Sequence, residues 1–167
     1  KQIDFPYTLD DETIAGVSCV RYRTARTSAS NPLILYLHAG ALISGSPRIN
    51  AAAALPLCEL SGCEAVAVGY TLAPAAAYPA QVDEIERVYL ALIEAGRPAG
   101  EIVLMGDSAG GSLALASVNR WRRKGLPAPA GVIAVSAILD FACRSDTHLT
   151  LARHDPLFGD TAVGGAA

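Results

Sequence analysis

Short unbroken apolar runs alternate along this chain with segments in which apolar residues recur every three or four positions. Leu33-Ile34-Leu35-Tyr36-Leu37, Glu64 to Tyr70, Ile102 to Met105 and Val132 to Ser136 have the continuous apolar character of strands buried on both faces. Between two of them, Val82, Ile85, Val88, Tyr89, Leu92 and Ile93 stand opposite Asp83, Glu84, Glu86 and Arg87, the pattern of an amphipathic helix that Gly96 ends. Arg48 to Leu60 reads as a second helix around the alanine run 51–54, with Pro56 expected to kink or shorten it and Gly62 as its cap. A third helix is predicted from Ala109 to about Lys124, stopped by Gly125-Leu126-Pro127. Thr13 to Ala25 alternates only in part and is interrupted by Gly16, which suggests one or two antiparallel edge strands. Strands that alternate with helices, joined by right-handed crossovers, lie parallel in a sheet with helices on both faces, the α/β class.

At one junction the pattern carries chemistry. The apolar run ending at Met105 passes directly into Gly106-Asp107-Ser108-Ala109-Gly110 and then into a helix, so a G-x-S-x-G motif occupies a strand-to-helix turn. Glycines on both sides leave room for a tight turn that lifts the serine hydroxyl above the carboxyl end of the sheet. Three fixed positions recur by accident in about one chain in twenty of this length, so the strand before and the helix after give the motif its weight. Leu33 to Leu37 likewise runs straight into His38-Ala39-Gly40-Ala41. Both segments thus fall at the carboxyl ends of strands, where sites in open α/β sheets form.

Composition narrows the reading. A chain of 167 residues that is 51% hydrophobic and 17% charged has enough apolar material for one large core. The net charge of -3 and the pI near 5.5 give no electrostatic footprint for nucleic acid or anionic membrane. The basic cluster Arg120 to Lys124 suits a helix carboxyl terminus. No apolar run is long enough to cross a bilayer. Cys19, Cys58, Cys63 and Cys143 lack C-x-x-C spacing and paired histidines, so buried thiols in a cytoplasmic protein are expected, with neither metal nor cofactor.

Taken together, Gly106 to Gly111 as G-D-S-A-G-G, His38-Ala39-Gly40-Ala41 in place of H-G-G-G, Tyr70-Thr71-Leu72-Ala73-Pro74 in place of Y-R-L-A-P, and Ser136 to Phe141 in place of S-P-W-x-D-L resemble one family. It is the hormone-sensitive lipase-like (bacterial type IV) esterases of the α/β-hydrolase fold, matched over roughly residues 13 to 160. The resemblance implies a serine carboxylic-ester hydrolase acting on small acyl esters through an acyl-enzyme, with Ser108 as nucleophile. It also implies an oxyanion hole of the backbone N–H groups of Gly40, Ala41 and Ala109. The alanines at 39 and 41 replace glycines, so a positive φ at either would cost about 1 kcal/mol. His38 precedes the serine, whereas this fold orders its triad serine, acid, histidine; it is read as a brace for the oxyanion loop, and Asp107 as scaffold. Amide or lactone hydrolysis uses the same machinery, and a non-catalytic binding module is the alternative from another class.

The remainder of the triad is not legible. Asp140 or Asp146 followed by His148 or His154 satisfies the order formally, but the fold places the acid and the histidine after two further strands, each needing a crossover of about 10 to 12 residues. Asp155, in His154-Asp155-Pro156-Leu157, resembles an earlier family segment that carries no catalytic group. The expectation is therefore a partial single core domain over 1–167, with 137–167 beginning an excursion or loop, and with late strands and cap missing. Val132 to Ser136, apolar on both faces, would be an unusual natural sheet edge. The expected partner is a small-molecule ester, with homo-oligomerisation left open.

Overall fold

The computed structural model describes residues 3–142 and 144–154, apart from the side chains of His148 and Leu149. Its elements run β1 (Tyr7–Ile14), β2 (Val17–Thr24), β3 (Leu33–Leu37), α1 (Ala51–Ser61), β4 (Glu64–Val68), α2 (Ala80–Glu94), β5 (Ile102–Asp107), α3 (Ala109–Lys124) and β6 (Gly131–Val135). The strands form one sheet in the order β1-β2-β4-β3-β5-β6. β3 pairs in parallel with β4 and with β5, and β5 in parallel with β6, while β1 and β2 add an antiparallel edge. These elements form one compact unit, residues 1–137; residues 138–167 form a second, containing the short helix α4 (Asp146–Thr150).

The alternation of side chains along each strand divides the core between two faces. Ile34 and Tyr36 of β3, with Ala65 and Ala67 of β4, pack with Ala51, Ala54, Leu55 and Cys58 of α1. Leu33, Leu35 and Leu37, with Val66, Val68 and Leu104, pack with Val82, Ile85 and Val88 of α2 and with Leu113 and Trp121 of α3. Every residue of β3 is buried, which is why its apolar run shows no alternation. Between α2 and α3 the rings of Tyr89 and Trp121 stack at 4.0 Å and 10°, and the Tyr89 hydroxyl donates to the Pro127 carbonyl at 2.9 Å.

At the amino end of the parallel strands, Glu64 receives Arg21, Arg23 and Arg97 at 3.0, 3.2 and 3.4 Å. Arg97 also donates to the carbonyls of Ala29 and Asn31, so the cluster ties the connection into β3 to the start of β4.

Three boundaries differ from the sequence reading. The edge hairpin starts at Tyr7 rather than Thr13, because the polar run Asp10-Asp11-Glu12 lies on an edge strand where charges face water. Helix α1 starts at Ala51, and Arg48 instead reaches across to Asp11 at 2.7 Å. The same helix runs through Pro56 to Ser61, since Pro56 and Ala52, whose carbonyl loses its helical partner, are both exposed. Gly62, Gly96 and Gly125 follow helices with φ of 69°, 97° and 68°, as their positions in the sequence suggest.

Leu35, at the centre of β3 and fully buried, tests this core. Leu35→Ala is expected to lower the free energy of unfolding by about 2–5 kcal/mol, read as a lower midpoint in urea denaturation with an unchanged slope.

Candidate active site

Strand β5 ends at Asp107 and α3 begins at Ala109, leaving Ser108 alone between them at φ 53° and ψ -121°. A serine in this left-handed region is strained by about 1–3 kcal/mol and persists only where its surroundings over-determine it. The Ser108 amide donates to the Val135 carbonyl at the end of β6 at 2.8 Å, and the Ser108 carbonyl accepts from the Ser112 amide at 3.2 Å. The glycines of the motif allow contacts no side chain could. A Cβ on Gly106 would lie 2.2 Å from the Gly110 carbonyl oxygen, and one on Gly110 would lie 2.0 Å from that of Leu37. The first turn of α3 is thus pressed against both its own strand and the end of β3. Ser108 itself is half-buried.

The pairing of β3 with β5 sets Leu37 opposite Gly106, so His38 to Ala41 and Ser108 leave neighbouring parallel strands at the same end of the sheet. In that loop Gly40, Ala41 and Leu42 have φ of 130°, 53° and 64°. The alanine at 41 therefore occupies the region glycine favours, while Ala39 is not among the residues with positive φ. The Gly40 carbonyl accepts from the amides of Ile43 and Ser44 and from the Ser44 hydroxyl at 3.0, 2.9 and 3.1 Å. Among the described residues the amides of Gly40 and Ala41 have no protein acceptor. Ala109, the first residue of α3, has an amide with no carbonyl one helical turn before it. The three amides named from the resemblance thus belong to a loop and a helix start that flank Ser108.

His38 is buried and neutral. Its Nδ1 lies 2.7 Å from the Ala39 carbonyl, which makes that nitrogen the N–H donor, and its ring stacks on Tyr70 at 4.3 Å and 9°. Burial lowers its pKa below 6.5, against the smaller opposing effects of the Ala39 carbonyl and the Asp107 charge. Asp107 accepts from the Tyr36 hydroxyl at 2.8 Å. Burial first, and then that hydrogen bond, push the Tyr36 hydroxyl well above the ordinary tyrosine range, so it remains a donor.

Sequence reasoning missed the second layer. Tyr70 donates to the His38 carbonyl at 2.7 Å, the Ala73 amide donates to the Leu42 carbonyl at 2.8 Å, and α2 holds the segment between through Gln81 and Glu84. Gln81 offered a signal: it falls on the apolar face of α2, four residues before Ile85, and is buried there. Of the candidate triad partners, Asp140 is engaged by the Ala142 and Arg144 amides at 2.9 and 3.2 Å and by the Arg144 guanidinium. The Ala142 amide first, then the Arg144 guanidinium and the Arg144 amide, hold its carboxyl below the usual carboxylate range. Asp146 begins α4, and His154 is exposed beside Arg153. Asp155, Cys143 and the side chain of His148 lie outside the described residues. Cys19, Cys58 and Cys63 are buried free thiols, and no helix among the described residues is long and apolar enough to cross a membrane.

The profile of the α/β-hydrolase fold family matches residues 34–164, and the chain belongs to that family. An acetyl-hydrolase of Streptomyces hygroscopicus is 36% identical over 129 residues, 77% of this chain and 43% of that protein. An esterase of Acinetobacter venetianus is 34% identical over 139 residues, 83% of this chain and 46% of that protein. The crystal structure of an esterase from the bacterial hormone-sensitive lipase family is similar with a TM-score of 0.91 at 28% identity, over 98% of this chain and 55% of that one. The chain therefore spans less than half the length of these curated relatives. The family resemblance and the α/β-hydrolase fold read from the spaced motifs both stand.

Gly110→Ala is expected to lower unfolding free energy by more than about 3 kcal/mol or to prevent folding, because a backbone oxygen cannot move aside. Gly100→Ala, where a Cβ meets nothing within 4 Å, is expected to change it by less than about 0.5 kcal/mol; urea denaturation of both checks the contrast. A second expectation concerns His38. Below pH 6.5 the unfolded chain takes up a proton that buried His38 refuses, so stability is full above that pH and falls as the pH drops. Denaturation midpoints at pH 7.5 and 5.5 should therefore differ, and His38→Asn should narrow the difference.

Proposed function

We propose that this chain carries the nucleophile and oxyanion hole of a serine carboxylic-ester hydrolase acting on small acyl esters. The observation that carries the reading is Ser108 at φ 53° between β5 and α3, beside a loop whose amides at 40 and 41 have no acceptor among the described residues. The acetyl-hydrolase and esterase names of the relatives support the ester chemistry and the small acyl group.

In this mechanism the Ser108 Oγ attacks the ester carbonyl carbon as a histidine removes its proton. The carbonyl oxygen becomes an oxyanion facing the N–H groups of Gly40, Ala41 and Ala109. Fixed amide dipoles stabilise that charge with little reorganisation, and losing one such donor elsewhere costs about 3 kcal/mol. Collapse of the intermediate breaks the bond to the alkoxy oxygen, which leaves as the alcohol with the histidine's proton. Water then adds to the acyl-serine by the same route and releases the carboxylic acid. The histidine and its acid are assigned outside the described residues, a placement supported by the use of Asp140 in a local turn. His38 braces the loop and Asp107 serves as scaffold, in keeping with the tyrosine contacts each makes. Buried free thiols support a cytoplasmic setting.

Ser108→Ala in the complete protein is expected to reduce turnover of p-nitrophenyl acetate and butyrate by about a thousandfold or more. Turnover that persists at the original rate overturns the proposal.

A further inference from the structure

The internal bonds of the loop from His38 to Gly45 that end on the Gly40 carbonyl orient the peptide after Gly40, not the one that carries its N–H. Gly40, Ala41 and Leu42 are successive residues at positive φ, and for Ala41 and Leu42 such a conformation persists only under an external hold. The hold can be traced peptide by peptide. The Gly40 N–H shares a rigid peptide plane with the Ala39 carbonyl, and that carbonyl lies 2.7 Å from His38 Nδ1. The direction of the Gly40 amide therefore follows the orientation of the His38 ring. Tyr70 holds that ring, stacking on it at 4.3 Å and donating its hydroxyl to the His38 carbonyl at 2.7 Å, while Gly45 closes on its Nδ1, where a Cβ would lie 2.9 Å away.

Tyr70 is itself anchored. The next residue, Thr71, gives its amide and its hydroxyl to the Glu84 carboxylate, each at 2.7 Å. The Thr71 carbonyl accepts from buried Gln81 at 2.7 Å. A continuous path thus runs from the first turns of α2 through Thr71 and Tyr70 to His38, Ala39 and the Gly40 amide.

We propose that Tyr70 is a positioning residue for the oxyanion hole, holding His38 by ring and by backbone so that the Gly40 N–H keeps its aim. This rests on the reading of Gly40 as an oxyanion donor. Since the oxyanion is present in the tetrahedral intermediate and the transition states flanking it but not in the bound ester, a misaimed donor lowers kcat and leaves ground-state binding intact.

The structure supplies a matched control. Tyr89 is likewise a buried tyrosine stacked on a ring, that of Trp121 at 4.0 Å, with its hydroxyl donating to the Pro127 carbonyl at 2.9 Å, and it lies between α2 and α3. Tyr70→Phe and Tyr89→Phe each keep the stack and delete a hydroxyl that donates to a backbone carbonyl, the Tyr70 hydroxyl also lying 3.4 Å from His38 Nδ1. In the complete protein both should lower the Tm by a similar few degrees. Only Tyr70→Phe should lower kcat for p-nitrophenyl butyrate, by about ten- to a hundredfold, with KM within about twofold. Tyr70→Phe with kcat within about twofold of the original, or an equal kcat loss in both variants, overturns the inference. Should Tyr70→Phe fail to fold, Glu84→Gln, which weakens the grip on Thr71, must show the same kcat loss, and an unchanged kcat there is equally fatal. Turnover that survives Ser108→Ala instead removes the esterase reading, and this inference falls with it. Turnover that depends on Ser108 but ignores Tyr70→Phe removes this inference alone.

Discussion

The close approach of α3 to the end of β3 is the contact on which the site depends. Only a hydrogen at position 110 lets the helix start settle against the Leu37 carbonyl, and only a hydrogen at 106 lets the strand pass under the Gly110 carbonyl. With both ends of the turn fixed at that spacing, Ser108 has no relaxed conformation open to it and takes up a positive φ. Strain at the serine is therefore the consequence of packing on either side of it. The same contact brings the turn that carries Ser108 against the start of the loop that carries Gly40 and Ala41.

Rigidity in this fold is distributed unevenly along the sheet. At the amino ends of the parallel strands, Glu64 gathers three guanidinium groups, and side-chain charge ties connection to strand. At the carboxyl ends, close to Ser108, the ties are of another kind: a tyrosine on a histidine, a tyrosine on an aspartate, backbone amides on carbonyls. These are short-range and directional, so they can orient individual peptide planes.

Much of this was legible beforehand, for reasons that differ by element. β3, β4 and β5 were visible because strands covered on both faces leave no polar alternation, and α2 because its two faces differ so sharply in character. The elbow was visible because its glycines answer a steric demand that no other residue meets. The start of β1 was hidden by Asp10, Asp11 and Glu12, whose charges are tolerated at an edge and would read as a loop anywhere else. Tyr70 and Glu84 were hidden as positioning groups because their partners lie on distant segments, and spacing along a chain carries no record of such contacts. The left-handed conformation of Ala41 is signalled only by the family's glycine at that place, which does not tell position 41 from position 39, and nothing in the alanine itself favours it.

One hydrogen bond has a wider meaning for how Ser108 is carried. By giving its amide to the Val135 carbonyl, Ser108 is withdrawn as an oxyanion donor and becomes mechanically coupled to β6. That strand pairs in parallel with β5, the strand that leads into Ser108, with Asp107 opposite Val135. The Ser108 backbone is thus tied to the carboxyl ends of two adjacent strands, to β5 by the chain and to β6 by a hydrogen bond, so a shift of either strand moves the turn that carries it.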